Sequence, residues 1–457
     1  MKERPTTQQV LAQLERIEAS ALFAKSPKKK HLLRFIVESA LEHKAISEKD
    51  IGPVVFPPFD PEQNPVRVQA LNVRKRLEEY YEKLGKGDLV EIGIEPGAGY
   101  EAEFSYSDRS EVLTHVKKAI AHRNRLWFGL FNGALFEIFL VCRDAPEFAP
   151  GHALYAEIDV IQKVVWGIFG ISKPTSIYHT DDAEAKQSVQ LDANLCFGHI
   201  MLGTHSLLSL NWSAARDSFN TAMKIDRVMT EMSLWYALYL LVIGKTRKAL
   251  EIAKINVKEH PDGRGVWLVY SLFLYLTRNY EEARDAASEV SVIAGPLRRL
   301  QELLMGLIFM ELRDYGKALG YFEAASATTG REWHTVNLEW KLLRKEKDFV
   351  LRRARCIGFM CLCLARSGQH DRLRKRLDEL NRLYAVSDAV EIRPMQRALI
   401  YMACGGGHRA LTALRIACLR GDAFVLGLHL CPFLDQLRDH PRFIRLMERF
   451  QPPQQKN

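Results

Sequence analysis

The segments NWSAARDSF (211–219), GKTRKALEI (244–252), RNYEEARDA (278–286) and RDYGKALGY (313–321) decide the fold, because they read as one turn met four times. A small residue recurs at Ala215, Ala249, Ala283 and Ala318, at intervals of 34, 34 and 35. Three positions earlier stand Trp212, Thr246, Tyr280 and Tyr315, and twelve positions earlier Gly203, Ala237, Ser271 and Gly306. Two amphipathic helices approach closely only where small side chains face each other, so each segment is predicted to join a helix pair. Asp192 and Asp226 keep the same phase, and Pro261 falls near the next junction.

Helix–turn–helix units with this period resemble tetratricopeptide (TPR) repeats. The resemblance implies an α-helical TPR solenoid over residues 151–450 that binds a protein partner of unknown identity. The phase breaks after about 330, where REWHTVNLEWKLLRKEKDFVL (331–351) is inserted. Two degenerate units follow, GFMCLCLARSGQHDRLRKRLDEL (358–380) with Leu373 in the small-residue slot and ALIYMACGGGHRALTALRIACLRG (398–421) with Ala410. The tail LCPFLDQLRDHPRFIRLMERF (430–450) is similar to the closing segment of bacterial TPR proteins and is expected to cap the solenoid.

The chain of 457 residues has room for two to four domains of ordinary size. Hydrophobic residues at 47%, charged residues at 26% and a formal charge of +9 describe a globular chain that permits an anionic partner without demanding one. MKERPTTQQ at the start lacks an apolar core, so no cleaved secretory signal is expected. Eight cysteines without a CxxC pair argue against zinc ribbons and a disulfide framework, and fit reduced thiols in a cytoplasmic protein.

Residues 1–107 have a different texture. TQQVLAQLERIEA (7–19) carries Val10, Leu11, Leu14 and Ile17 on one helical face. Ser26-Pro27 starts a second helix, and VVFPPFDPEQNP (54–65) breaks the chain before a third, PVRVQALNVRKRLEEYYEKL (65–84). LVEIGI (89–94) and YEAEFSY (100–106) then read as a hairpin. Three helices and a hairpin are the parts of a winged helix-turn-helix.

VRVQALNVRKRL (66–77) resembles the recognition-helix pattern of OmpR/PhoB-type winged helices, and IGIEPGAGYEAEF (92–104) is similar to their final hairpin. The segment looks closer still to the N-terminal domain of bacterial proteins that join a winged helix to TPR repeats. Those carry, in this order, the elements found here at 14–17, 32–35, 51–56, 59–61 and 66–81. The resemblance implies a DNA-binding transcriptional regulator.

On the third helix Val66, Ala70, Val73, Leu77 and Tyr80 share a face and are predicted to pack inward. Arg67, Gln69, Asn72 and Arg76 are the candidates for reading base edges of double-stranded DNA, since Arg, Gln and Asn offer the paired donors and acceptors that base edges match. Arg74 and Lys75 are phosphate candidates, as are Lys28, Lys29 and Lys30 with their neighbours Lys25 and Arg34. Residues 1–107 hold 16 Lys+Arg and 17 Asp+Glu, so any binding face must be a local patch. The wing carries Glu95 and Pro96 where the family often has a basic residue, and no wing contact is assigned.

Residues 108–150 read as a polar linker followed by LWFGLFNGALFEIFLVC (126–142). At 17 residues, with Asn132 and Glu137 inside, this stretch is short for a membrane span. A buried helix against the first repeats is expected; the competing reading is a single-pass inner-membrane anchor. Neither Walker A, HExxH nor GxSxG appears, so no enzyme, cofactor or metal is expected. The run Cys404 to His408 reads as a turn, and His429, Cys431, Asp435 and His440 as helix caps. Residues 341–383, with 13 Lys+Arg against 5 Asp+Glu, read as a solvated face. The overall expectation is a mainly α, cytoplasmic DNA-binding regulator. A TPR scaffold that binds no DNA and a membrane-anchored winged-helix sensor are the rivals.

Overall fold

The computed structural model describes residues 5–59, 65–94, 100–125, 128–169, 182–290, 296–327, 353, 356–385, 394–420 and 425–450. Contacts divide the chain into two units, Met1–Lys118 with Glu137–Glu147, and Ala119–Phe136 with Phe148–Asn457.

The first unit opens with α1 (Thr7–Ala19), α2 (Pro27–Leu41), α3 (Glu48–Val55) and α4 (Pro65–Lys83), then β1 (Val90–Ile94) and β2 (Ala102–Tyr106). Four helices precede the hairpin, where the sequence suggested three. The added helix, α3, forms in the stretch leading into the expected break. Ser47 and Asp50 close a capping box at its start, and Ile51 and Val55 supply a buried face. Gly52 has no room for a side chain, since a Cβ would stand 2.3 Å from the Phe59 ring. On α4, Val66, Ala70, Val73, Leu77 and Tyr80 are buried as their spacing predicts.

The hairpin is antiparallel, with Ile92 opposite Phe104. Its root is held by hydroxyls of α4. Tyr81 accepts a hydrogen bond from the Ile92 amide at 2.7 Å. Tyr80 donates to Asp88 at 2.7 Å, and Asp88 also accepts from Gln13 at 2.6 Å. The Tyr-Tyr pair of the sequence pattern therefore ties helix to hairpin.

The expected polar linker is helical. α5 (Glu111–Arg125) buries Leu113, Val116 and Ala119, and α6 (Phe128–Asp144) follows. Glu137, the acid inside the apolar stretch, is hydrogen-bonded to His115 at 2.5 Å. Among the described residues, no helix is long and apolar enough to cross a membrane.

The second unit continues with α7 (Ala149–Phe169) and α8 (Ala183–Leu191) before the repeats. The paired helices are α9 (Cys196–Leu208) with α10 (Trp212–Ile225), and α12 (Leu234–Val242) with α13 (Thr246–Glu259), the short α11 (Arg227–Glu231) lying between the pairs. Then come α14 (Arg264–Leu276) with α15 (Tyr280–Ser288), and α16 (Pro296–Glu311) with α17 (Tyr315–Ala327). Trp212, Thr246, Tyr280 and Tyr315, the residues that set the sequence phase, are each the first residue of a second helix. The four alanines are fully buried. Ser271 shows the close approach directly, its hydroxyl donating to the Ala283 carbonyl at 2.7 Å.

Every turn between paired helices uses one left-handed residue, two positions before the second helix. These are Leu210, Gly244, Arg278 and Arg313, then Gly368 and Gly405. The last two put the degenerate units in register: α18 (356–366) pairs with α19 (His370–Ala385), and α20 (Pro394–Ala403) with α21 (Gly407–Arg420). The repeat thus returns after the insertion, which lies outside the described residues apart from its neighbour Arg353. Short 3-10 turns at Val425–Gly427 and Pro432–Leu437 lead into α22 (Pro441–Phe450).

Candidate functional site

The outward face of α4 is built from Arg67, Val68, Leu71 and Lys75, which are all exposed. They fall within an arc of about 100° at helical spacing. Val68 and Leu71 are 53% and 50% exposed, and neither was assigned a role from sequence. The remaining reading candidates are half-buried. Asn72 flanks the open face, while Gln69 and Arg76 point about 130 to 150° away from its centre.

Arg76 has a structural task. It donates to the Leu22 carbonyl at 2.6 Å and to the Ser26 hydroxyl at 2.7 Å, fixing the connection between α1 and α2. Arg74 donates to the Ile94 carbonyl at 3.0 Å, at the end of β1. Burial and then the nearby Arg76 charge hold the Lys29 ammonium below its ordinary pKa. Lys25 and Lys28 are exposed and Lys30 is half-buried, whereas Arg34 pairs with Glu18 at 2.6 Å. Tyr100 donates to Glu48 at 2.7 Å. Its hydroxyl is pushed up to about 12, first by burial and then by that carboxylate, against the opposing charges of Arg74 and Arg67. The structure therefore gathers Arg67, Lys75, Val68 and Leu71 into one open face, and Lys29 with Arg76 into another cluster. The hairpin turn at 95–99 lies outside the described residues.

In the array, successive first helices repeat a half-buried pattern. Tyr236 and Leu238 on α12 are followed 34 positions later by Tyr270 and Leu272 on α14. One turn beyond Leu238 and Leu272, on the faces of those two leucines, lie Val242 and Leu276, both buried.

What covers this end is the chain itself. His429 donates from Nε2 to the Val242 carbonyl at 3.0 Å, across 187 residues of sequence. Asp435 pairs with Arg278 at 2.8 Å, and the Phe433 carbonyl accepts from Arg366 at 3.4 Å. The Phe433 ring meets Phe359 of α18 edge-on, with centroids 5.5 Å apart. The segment expected to cap the last repeat therefore reaches back along helix ends belonging to α12, α14 and α18. Composition gave no sign of this reach, because a long-range seat leaves no local period.

The other candidates resolve into structure. Gly405 is the left-handed turn residue inside the CGGGH run, and His408 contacts the Arg442 guanidinium at 2.7 Å. Of the tail residues, His429 and Asp435 are engaged as above, and His440 accepts from the Arg442 amide at 3.2 Å. Burial pushes the thiols of Cys361, Cys363 and Cys431 up to about 12, which leaves them weak nucleophiles. In the described part of the basic stretch, Arg353 and Arg376 both pair with Glu379, and Arg366 pairs with Glu311. Arg376 also pairs with Glu323, so Arg376 ties α19 to α17 as Arg366 ties α18 to α16.

No known family matches the chain, and no curated protein matches it. Similar solved structures include a Rap protein complexed with competence and sporulation factor, at 13% identity and TM-score 0.43, covering 74% of this chain and 96% of that one. Naa15/Naa10 bound to HypK-THB is 14% identical over 75% of this chain and 46% of that one, with TM-score 0.26. The P58(IPK) TPR domain is 13% identical over 72% of this chain and 100% of that one, with TM-score 0.19. The repeat is set by the helix phase of the chain itself.

Proposed function

We propose that the chain is a docking scaffold whose TPR-like array takes a segment of a protein partner, with no catalytic step of its own. The observation that carries this reading is Leu238 on α12 and Leu272 on α14, half-buried positions 34 residues apart that keep the same place on successive first helices. Aliphatic side chains left half-covered at the repeat spacing form a strip rather than scattered surface residues, and such strips fit extended or helical peptide segments. Peptide display against the full chain tests it. Enriched peptides should lose about tenfold or more in affinity when Leu238 and Leu272 are replaced by Ala, in line with a loss of ~1.4 kcal/mol or more from buried contacts. Failure to enrich any peptide class, or retention of binding by the double variant, would remove the reading.

A second reading keeps the N-terminal unit as a DNA-binding winged helix within a transcriptional regulator, with α4 in the major groove. The open face Arg67, Val68, Leu71 and Lys75 favours it, since arginine matches guanine edges and aliphatic groups meet thymine methyls. Selection of DNA by the full chain, followed by Arg67→Ala, tests that role. An unchanged selected motif with unchanged affinity in the variant excludes α4 as the reading element.

A further inference from the structure

We infer that residues 428–438 are an internal ligand of the array, and that a partner segment of the same chemistry docks by displacing them. This deepens the scaffold reading and rests on it.

The segment is built like a peptide ligand. It lies outside the helical repeat and forms a 3-10 turn whose shape is largely held from within. Arg438 donates to the carbonyls of His429 and Cys431 and pairs with Asp435, folding the segment around its own guanidinium. Five of its apolar side chains, Leu428, Cys431, Phe433, Leu434 and Leu437, are buried in the same core as the repeats, and Leu430 is half-buried against it. A compact turn with four or five anchors needs little further ordering before it docks, which favours binding.

Among the described residues, the polar tethers to the array are few. Arg278 and Asp435 are 42% and 43% exposed at their side chains, and an ion pair so open contributes little. The Arg366 bond to the Phe433 carbonyl is long at 3.4 Å. Beneath the segment, the Tyr275 hydroxyl is buried without a hydrogen-bond partner among the described residues. The groups that act on it electrostatically are Glu311, Cys431, Tyr280 and Arg366. A buried hydroxyl left unpaired opposes the closed arrangement, so lifting the segment relieves a cost as well as breaking contacts.

The seat also continues beyond its occupant. Val242 lies one helical turn from Leu238, and Leu276 one turn from Leu272, so the covered ends and the half-exposed strip share the same helix faces. The partner this surface fits is a segment pairing an aromatic and a leucine with an acid two residues after the aromatic, as Phe433, Leu434 and Asp435 do. The aromatic takes the edge of Phe359 and the carboxylate takes Arg278.

The test uses the full chain and a fluorescent peptide of residues 428–438 under reducing conditions. The unaltered chain should bind it weakly, because its own segment competes. The full chain carrying Phe433→Ala should bind it about tenfold tighter or more, and the one carrying Asp435→Lys, which sets a cation beside Arg278 and Arg438, about threefold tighter or more, as the competent fraction rises. Equal binding by all three chains, or no binding by any, overturns the proposal and leaves the segment as an integral part of the core. Asp435→Lys changes an exposed side chain, so it keeps the test open if Phe433→Ala unfolds. In the unaltered chain, the amides of Leu430, Cys431 and Leu434 should exchange hydrogen through an opening that leaves α14 protected. Exchange of these amides only on global unfolding overturns displacement, and a dimer with segments swapped between copies overturns the internal arrangement. If display peptides bind the unaltered and Asp435→Lys chains alike, this inference fails while the scaffold reading stands. If neither chain binds any peptide, both fail.

Discussion

Gly306 lies against the ring of Phe322, so close that a Cβ on it would stand 2.5 Å from Cε1. Gly203 meets Phe219 in the equivalent place at 3.1 Å. The other two well-phased units make the opposite choice, with Ala237 and Ser271 on the first helix and Ala253 and Ala287 in the phenylalanine slot, all fully buried. Volume removed from one helix is thus added to its partner, as close packing requires. Gly306→Ala should destabilise the array by about 1–3 kcal/mol, because Phe322 is enclosed and cannot swing away. Gly203→Ala should cost less, its neighbour having only tenths of an ångström to give. Urea midpoints of the full chain compare the two, and equal midpoints for Gly306→Ala and wild type would contradict the packing described.

Two glycines with open space around them should respond to alanine with opposite signs. Gly244 has φ +85° in the turn between α12 and α13, whereas Gly320 sits inside α17 with nothing within 4 Å of an added Cβ. Alanine at 244 meets a left-handed backbone that L-residues adopt at a cost of about 1–2 kcal/mol. Alanine at 320 gains helix propensity of about 0.5–1 kcal/mol. Thermal melts should therefore move down for Gly244→Ala and up for Gly320→Ala. A common direction would mean that one of the two backbone assignments is wrong.

Arg67 and Arg76 looked alike in sequence, yet their surroundings predict different variants. Arg76→Ala removes two hydrogen bonds that hold the connection between α1 and α2, and should lower the stability of the first unit by about 1–3 kcal/mol. Arg67→Ala should leave stability within about 0.5 kcal/mol of wild type, as an exposed surface change does. Denaturation followed by hydrogen exchange in α1 and α2 separates the two. If Arg67→Ala unfolds these helices as readily as Arg76→Ala, the outward face of α4 is not free for any ligand.

That contrast shows where the sequence was legible and where it stopped. The phase of Trp212, Thr246, Tyr280 and Tyr315 placed the starts of four helices, because a repeated small residue encodes a local, periodic contact. The inward face of α4 was legible for the same reason. α3 was not, since its capping box lay beside prolines that also read as a break. The role of Arg76 was hidden because its partners are a carbonyl at Leu22 and a hydroxyl at Ser26, more than 45 residues away in sequence and carrying no charge signal. The seat of the tail was hidden too, because nothing in LHLCPFLDQLR names Val242 or Arg278 as its partners.

The same seat should give the array a pH response. His429 is held below the ordinary imidazole value of 6.5, first by burial and then by the Arg438 charge, with the Val242 carbonyl pulling the other way. The neutral ring donating to that carbonyl is thus the seated form. When the segment lifts, the ring meets water and recovers its usual affinity for protons, so the lifted state binds more protons than the seated one. Seating is therefore fully supported above about pH 6.5 and weakens as pH falls from there towards the depressed value, below which no further change follows. The labelled 428–438 peptide should bind the full chain more tightly at about pH 5.5 than at about pH 8, with hydrogen exchange at Leu430 and Cys431 faster after correction for intrinsic rates. His429→Gln keeps a donor for Val242 and carries no titrating group, so its peptide affinity should stay flat across that range. The peptide carries a histidine of its own, and a His→Gln peptide used with both chains removes that contribution. A pH dependence that persists in the His429→Gln chain with the His→Gln peptide would place the titrating group elsewhere.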